Sequence, residues 1–446
     1  MLGKQASGIL KLFNATTLTN VTLLANAFIW YYSVLIALQN TLGQTALVNP
    51  TASILIWGAH FSGLVLSALL GGIIAKKIER TRFLTLWMIL GVVSSLMLFS
   101  LDVSNVLVLG FVGLMLGISL GIGMPTCMSF FADSVAIESR GRIAGITMLL
   151  TGVGIFLFAN LPIPTYALLG IALAIWRLSS VLVFHYAKSR INVKVKLEVA
   201  SYRQLIRQQS FLTYFVPWVM FSLVNYLVAP LEPNAGQSSG LVLLAQTGFM
   251  GVFAVTGGFL IDRIGRKRIA IAGFTMLGLA VAMLGVFPTG SFSLYSSAML
   301  EGTAWGLLLD LFIITLWGDL GSNVASDKIY ALGVMPFFLS KFLEITLGQY
   351  IFLSIPATSL FPFTALFLFL AVLPLFYAPE TLPEKVMKDR DLKSYFEKAM
   401  KKVQVEVGIE KTVSNVPQEC DVEFQVKPEE NDEEQEEAER LAEKYY

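Results

Sequence analysis

The 446 residues are 55% hydrophobic and only 14% charged, with a mean hydropathy of +0.69. Because soluble domains carry about 25% charged residues, this composition excludes a single soluble domain and indicates an integral membrane protein. The net charge of +1 implies no nucleic-acid binding, and the two cysteines give no disulfide framework or metal-ligand spacing. The amino-terminal segment lacks a small-residue cleavage site, so no removable signal peptide is expected.

Twelve apolar runs are long enough to cross a bilayer, which takes about 20 residues. Such runs lack the alternation of barrel strands, so they are predicted to be helices. The predicted spans are residues 18–38, 52–75, 83–101, 106–131, 143–161, 165–186, 211–229, 241–261, 269–287, 292–316, 330–352 and 359–377.

The loops between these runs predict the orientation of the chain. Lys and Arg residues lie in alternate loops, including six cations in residues 187–210, and the remaining loops between spans carry none. Cytoplasmic loops are the ones that hold Lys and Arg. The chain is therefore expected to be a multi-pass protein of the plasma membrane with both termini in the cytoplasm.

Residues 71–82 and 257–268 repeat one pattern, in which a glycine pair ends an apolar run and a basic loop follows. The two segments are 186 residues apart, and the same offset relates Asp133 to Asp319. This duplication predicts two six-helix bundles, residues 1–186 and 211–377, joined by a cytoplasmic basic linker over 187–210. Residues 378–446 are expected to form a cytoplasmic tail, with an amphipathic helix over 385–403 before an acidic, disordered end.

These residues resemble the major facilitator superfamily over nearly the whole chain to Thr381. The family's GxxxDRxGRR loop signature is matched by Gly258, Asp262, Arg263, Gly265, Arg266 and Lys267. Asp133 followed by Arg140, and Pro379-Glu380-Thr381, are similar to signatures of its sugar and organic-acid porters. The first-half copy departs from the pattern, with Lys76 in place of the aspartate and Glu79 in place of a glycine. The resemblance implies an all-α fold of two pseudo-symmetric six-helix bundles and a transport function.

The loop signature has a physical interpretation of its own. Its glycines let helices approach closely, and its carboxylate can bind a helix amino end or a cation. Contacts of this kind exist on one side of the membrane, so they favour one arrangement of the two halves. The alternative is a basic loop that only sets topology, which explains the cations but neither the glycine pair nor Asp262.

Ionisable residues inside a bilayer are costly and often functional. Glu301, Lys341 and Glu344 lie at a similar predicted depth, and two acids sharing one base favour ion coupling, with Glu301 as the exchangeable acid; a structural ion-pair network is the alternative. Asp310 lies nearer the cytoplasm on the span of Glu301, where helix capping or packing competes with a coupling role.

Other interior polar residues are candidates for the solute cavity. Arg177 in the sixth span is expected to bind either a ligand anion or protein groups and water, and His60 is expected to be a hydrogen-bonded interior histidine. Polar stripes on the first and seventh spans predict either a central cavity or ordinary helix packing. The stripes consist of Asn26, Trp30, Ser33, Trp218, Ser222 and Asn225.

The favoured function is a secondary active transporter that moves a small polar solute, an organic anion or sugar-like metabolite, by proton-coupled symport. The fifth span lacks the GxxxGP signature of drug antiporters, which weakens drug efflux, and no Walker-type loop suggests ATP use. The acidic tail leaves a membrane sensor open, and a membrane enzyme is the weakest alternative. The expected partners are the solute, protons and lipid, with no cofactor, metal or nucleic acid, and the chain is expected to be a monomer.

Overall fold

The computed structural model describes residues 15–100, 105–163, 165–187, 201–227, 238–287, 290–321, 326–348, 351, 354–383, 388, 392 and 395. Those residues form helices and connecting turns, with no β-strand among them. Eleven of the helical segments are long and apolar enough to cross a membrane. The seventh predicted span is a helix of 17 residues, Gln209–Asn225, and residues 228–237 beyond it lie outside the described set.

Seven helices make the six spans of the first half. They are α1 (Ala15–Val48), α2 (Pro50–Ile74), α3 (Arg80–Leu96), α4 (Val106–Gly121), α5 (Met124–Ser134), α6 (Arg140–Ala159) and α7 (Tyr166–Ala187). The fourth span consists of α4 and α5, which are separated at Gly123. The interruption follows from the sequence, because Pro125 in the first turn of α5 lacks an N–H for the helix ladder.

The second half begins after the short helix α8 (Tyr202–Ile206). Its helices are α9 (Gln209–Asn225), α10 (Ser238–Ile264), α11 (Arg266–Val286), α12 (Ser291–Leu309), α13 (Leu316–Leu320), α14 (Ser326–Thr346), α15 (Ala357–Leu370) and α16 (Val372–Phe376). A π-helical turn, Asp310–Thr315, joins α12 to α13, so these three segments form the tenth span. The twelfth span consists of α15 and α16.

Helix packing follows the duplication. Within the first half α2 packs against α4, and within the second half α10 packs against α12. The halves are joined chiefly where α6 packs against α10, the seam of spans 5 and 8, and where α2 packs against α14, the seam of spans 2 and 11; α5 also packs against α14. The repeat relates span 2 to span 8 and span 5 to span 11, so each seam is the counterpart of the other.

The paired glycines explain how span 8 and span 2 each pack against one helix of their own half and one helix of the other half. A methyl group added at Gly257 would lie 2.7 Å from the Leu307 side chain of its own half, whereas one added at Gly258 would lie 2.4 Å from the carbonyl oxygen of Gly141 in the other half. Gly71 likewise packs on the fourth span of its own half. Each glycine pair therefore lets one helix approach two neighbours.

Several sequence predictions fall on residues outside the described set. They are most of the basic linker, at 188–200, and nearly all of the tail beyond residue 383, including the amphipathic helix over 385–403. The four domain boundaries stay predictions.

Candidate functional site

Asp262 joins the two halves at the seam of spans 5 and 8. This carboxylate lies in the last turn of α10 and accepts hydrogen bonds from the backbone N–H groups of Gly141 and Arg142, each at 2.9 Å. Those amides belong to the first turn of α6, where a helix leaves N–H groups without internal partners and favours negative charge. The side chains of Arg142, at 3.2 Å, and Arg266, at 3.3 Å, complete the contact. Asp262 thus caps a helix of the opposite half.

Asp319 joins the halves through two arginines. Arg140, from the first half, pairs with one carboxylate oxygen, and Arg266 Nε donates to the other at 2.8 Å. Arg140 also donates to the carbonyl oxygens of Ala132 and Val135. All three charged side chains are buried, so each charge depends on the others for its stability.

Glu380, which follows the twelfth span, binds the start of α11 beside the Asp319 network. Its carboxylate accepts hydrogen bonds from the backbone N–H groups of Arg266, at 2.8 Å, and Lys267, at 3.2 Å, the first residues of α11. Gly265 precedes them with a φ of +109°, and a side chain there would meet the Glu380 carboxylate at 2.4 Å. Glycine is therefore required by both backbone conformation and space. Arg263, in the same loop, is exposed.

The first-half copy of the motif forms a related cluster at the seam of spans 2 and 11. Arg80 pairs with Asp133 at 2.8 Å and lies 3.6 Å from Asp327, at the start of α14. Arg80 and Asp133 are the counterparts of Arg266 and Asp319 at the 186-residue offset. The offset found in the sequence thus relates two observed ion pairs, and both lie at the end of the bundle where the basic loops meet, here called the basic end.

Lys76, the departure from the loop signature, is a largely exposed cation that is attracted by the Asp327 carboxylate. Burial lowers the pKa of Lys76, as does nearby Lys328, while Asp327 opposes that shift. By the repeat, Lys76 stands where Asp262 does, and Asp327 where Gly141 does. Tyr202 of α8 adds to this seam, because its hydroxyl donates to the Leu69 carbonyl at 2.7 Å and its ring lies 5.2 Å from the Lys328 ammonium. At this seam the loop therefore carries the cation and the helix of the other half carries the acid, whereas at the seam of spans 5 and 8 the loop carries the acid.

Asp327 and Arg80 were not among the residues singled out from the sequence. The repeat could have identified Asp327, because it makes this acid the counterpart of Gly141, in the same way as it makes Lys76 the counterpart of Asp262. Sequence spacing alone does not show which helix of the other half a loop contacts.

Among the membrane-interior charges, Lys341 and Glu344 form an ion pair at 2.7 Å along one face of α14, with 30% and 21% of their side chains exposed. Glu301 is half-buried on α12, which packs mainly against α10 and α11. The tenth span meets α14 chiefly through its π turn and α13. A contact between Glu301 and the Lys341–Glu344 pair stays a prediction.

Arg177 and the first-span stripe pack against each other inside the first half. Arg177 donates to the Asn26 side-chain oxygen at 3.1 Å, and its guanidinium lies 4.2 Å from the Trp87 ring and 5.5 Å from that of Trp30. Trp30 Nε1 donates to Ser95 Oγ at 2.7 Å. These contacts fit the protein-group alternative for Arg177 and the packing alternative for Asn26 and Trp30, and a cation buried against aromatic faces is stabilised by them.

The seventh-span stripe also packs within its own half. Trp218 is buried with its ring stacked 4.6 Å from that of Phe312, and Ser222 donates back to the Trp218 carbonyl. Asn225 is half-buried at the end of α9. Ser33, on the first span, is buried, and its hydroxyl has no hydrogen-bond partner among the described residues.

Aromatic side chains instead join the halves midway along the seam of spans 2 and 11. Tyr31 stacks on His60 at 6.2 Å and meets Phe338 of α14 edge-on at 5.9 Å, and Phe61 meets Phe342 at 5.8 Å. His60 Nδ1 lies 2.8 Å from the Gly113 carbonyl, as expected for an interior histidine. Within the described chain, the Tyr31 hydroxyl and His60 Nε2 are buried without hydrogen-bond partners.

No protein-family model matches the chain, and no curated protein matches it in sequence. Among solved structures, it is similar to the major facilitator superfamily proton:xylose symporter XylE bound to 6-bromo-6-deoxy-D-glucose. The match has a TM-score of 0.65 at 13% identity and covers 82% of this chain and 96% of that one. The chain has the major facilitator fold.

Within the major facilitator fold, the two ionic clusters of this chain occupy equivalent places. Asp262 closes the basic end of one seam, and Arg80 with Asp327 closes that of the other. The Asp319 network connects both halves between them. The basic end is thus closed by charge, whereas the middle of the seam at spans 2 and 11 is closed by aromatic contacts.

Proposed function

We propose that this protein is a secondary active transporter that moves a small polar solute by alternating access, with proton-coupled symport. The observation that carries the proposal is the ionic closure of both seams at one end of a major facilitator fold. The contacts of Asp262 cross between the halves, so rocking the halves apart at the basic end must break them. They stabilise one of two arrangements, as an inner gate does.

The proposed solute site lies above this gate, at the seam of spans 2 and 11. The Tyr31 hydroxyl and His60 Nε2 supply polar groups that lack partners within the described residues. Aromatic rings surround them, and the partly exposed Lys341–Glu344 pair lies on the same helix as Phe338 and Phe342. Such a site favours a solute with hydroxyl or carboxylate groups and some apolar surface, which supports an organic anion or sugar-like metabolite.

A binding screen followed by flux measurements tests the proposal. The purified protein is screened by thermal shift against sugars, organic acids, amino acids and cationic drugs, and each compound that stabilises it is tested for uptake into proteoliposomes with an imposed pH gradient. We expect saturable uptake of a polar compound, driven by the gradient. Tyr31→Phe, which removes one hydroxyl, should raise the KM, whereas Tyr186→Phe, at an exposed tyrosine, should not.

Three outcomes would contradict the proposal. Uptake of cationic drugs alone, exchanged for protons, would indicate efflux. Uptake that ignores the pH gradient would remove the proton coupling. If no screened compound is transported and removal of residues 388–446 abolishes a cellular response, the chain is a sensor on this fold.

A further inference from the structure

Asp310 is the buried acid of the tenth span. It begins the π-helical turn Asp310–Thr315, which interrupts the α-helix between α12 and α13, and its side chain is completely buried, at 0% exposure. π-Helical turns inside α-helices occur frequently at functional sites. The Asp310 side chain lies toward the other half of the protein, beside Gly145.

Neither carboxylate oxygen of Asp310 has a hydrogen-bond partner within the described residues. Buried polar groups are almost always hydrogen-bonded, and a buried charge is stable only when it is paired. The other buried acids of the described residues, Asp262 and Asp319, obey this rule, since both are held by arginines. An ionised Asp310 would be the exception, whereas a protonated one carries no charge to be paired.

Gly145 of α6 lies against Asp310 across the seam of spans 5 and 8. A methyl group added at Gly145 would lie 3.1 Å from Asp310 Oδ2, and 2.2 Å from the Ala254 carbonyl oxygen of α10. Gly145 follows Gly141 by one helical turn, so Asp310 lies about one turn, roughly 5 Å, deeper in the same seam than the contact of Asp262. Separating the seam would therefore expose Asp310 as soon as the Asp262 contact opens.

The charged and titratable groups on the elements around Asp310 have contacts of their own. On span 5 they are Arg140 and Arg142, on span 8 Asp262, on span 9 Arg266, and on α13 Asp319, all within the ionic network. Span 8 also carries Arg263 and span 9 Arg268, which are both exposed, and Lys267 of span 9 donates to the Phe376 carbonyl. Span 11 contributes Tyr330, which donates to the Ile314 carbonyl, Asp327 beside Arg80, Lys328 over Tyr202, and the Lys341–Glu344 pair, and α5 contributes Asp133, bound to Arg80. In the described chain, none of them hydrogen-bonds to Asp310.

We propose that Asp310 is the proton-binding site of this transporter, loaded while the basic end is closed and released when the seam of spans 5 and 8 opens there. The proposal rests on the proposed function and names Asp310, rather than Glu301, as the exchanged acid. Loading forms an O–H bond on a carboxylate oxygen and breaks one in hydronium. Release transfers that proton to water at the basic end and leaves a carboxylate that solvent stabilises. The neutral acid favours the closed seam and the carboxylate favours the open one.

Distances between spin labels across the basic end test the proposal without a known solute. Arg82 and Arg268 are exposed, lie at the starts of α3 and α11, and are related by the repeat. Labels at Arg82→Cys and Arg268→Cys, with Cys127 and Cys420 replaced by alanine, report the separation of the halves in lipid nanodiscs. Because the closed arrangement binds the proton, we expect the distance to lengthen as the pH rises from 5 to 8.

Asp310→Asn keeps the shape of the side chain but stays neutral, so it should hold the short distance at every pH. Asp310→Glu should keep the pH response with a shifted midpoint, and Glu301→Gln should keep the parent's response. A response in Asp310→Asn equal to the parent's, its loss in Glu301→Gln alone, or a parent without any response would overturn the proposal.

Flux measured on the same preparations separates this proposal from the proposed function. A parent that transports solute with a pH-insensitive distance overturns only the role of Asp310. A parent that opens with pH through Asp310 but transports none of the screened compounds keeps the proton site and overturns the transport proposal.

Discussion

Replacing Asp262 with asparagine should open the basic end, because the contacts of its carboxylate cross between the halves. The carboxylate accepts two backbone hydrogen bonds at 2.9 Å from the first turn of α6, and the side chain is buried. Hydrogen bonds to charged groups contribute about 1.5–3 kcal/mol each, and removing one partner from a buried pair costs about 3–5 kcal/mol. Asparagine keeps one acceptor oxygen, so we expect a loss of about 3 kcal/mol, taken almost entirely from the closed arrangement.

That loss corresponds to a change of roughly 100-fold in the equilibrium between closed and open arrangements, since about 1.4 kcal/mol is tenfold. A protein that is closed 100:1 would become closed and open in about equal amounts. The labels at Arg82→Cys and Arg268→Cys measure this directly, as a second, longer distance that appears in Asp262→Asn at pH 6.

The matched control is Arg263→Gln, which removes a charge from the next residue of the same loop. Arg263 is exposed, so its replacement should leave the distance distribution unchanged. If Asp262→Asn keeps the parent's distribution, or if Arg263→Gln opens the basic end equally, the loop acts through its positive charge on topology and the gate interpretation is refuted.

Asp319→Asn leaves two buried arginines with one neutral partner, so the melting temperature in detergent should fall, by an amount corresponding to about 3–5 kcal/mol; an unchanged value would contradict the burial argument. Gly258→Ala should open the basic end in the spin-label assay, because its methyl group meets a backbone carbonyl of the other half, while Gly257→Ala meets a movable leucine side chain and should change little; equal effects would contradict the close approach of the backbones. Gly265→Ala should cost at least about 1–2 kcal/mol in the free energy of unfolding because of its positive φ, and an undiminished melting temperature would refute this.

The span positions, the duplication and Asp262 could be predicted from the sequence because each rests on a local pattern. Apolar runs give the spans, and the GxxxDRxGRR match gives Asp262 and Arg266 without knowledge of their partners. The role of Glu380 at the start of α11 could be seen only in the structure, because more than 110 residues separate it from the amides that it binds.

The faces of the interior helices could not be predicted to the same depth. A polar stripe shows that Asn26 and Trp30 share a face, but not whether that face meets spans 3 and 6 or the centre of the bundle. Asp310 was ambiguous for a different reason, because a π-helical turn rotates the residues around it relative to the regular helix from which the sequence argument started. Its isolation from the arginines is a property of the packed halves.

The reversed charges at Lys76 and Asp327 make the two seams unequal in what substitution can do to them. Two of the contacts of Asp262 are to main-chain amides, so a substitution of Arg142 removes one side-chain contact and leaves those two hydrogen bonds in place. Lys76 is attracted instead by the side chain of Asp327, and one substitution at either position alters that attraction. Evolution or a protein engineer can therefore adjust the ease of opening at one seam while the two backbone hydrogen bonds of the other stay in place.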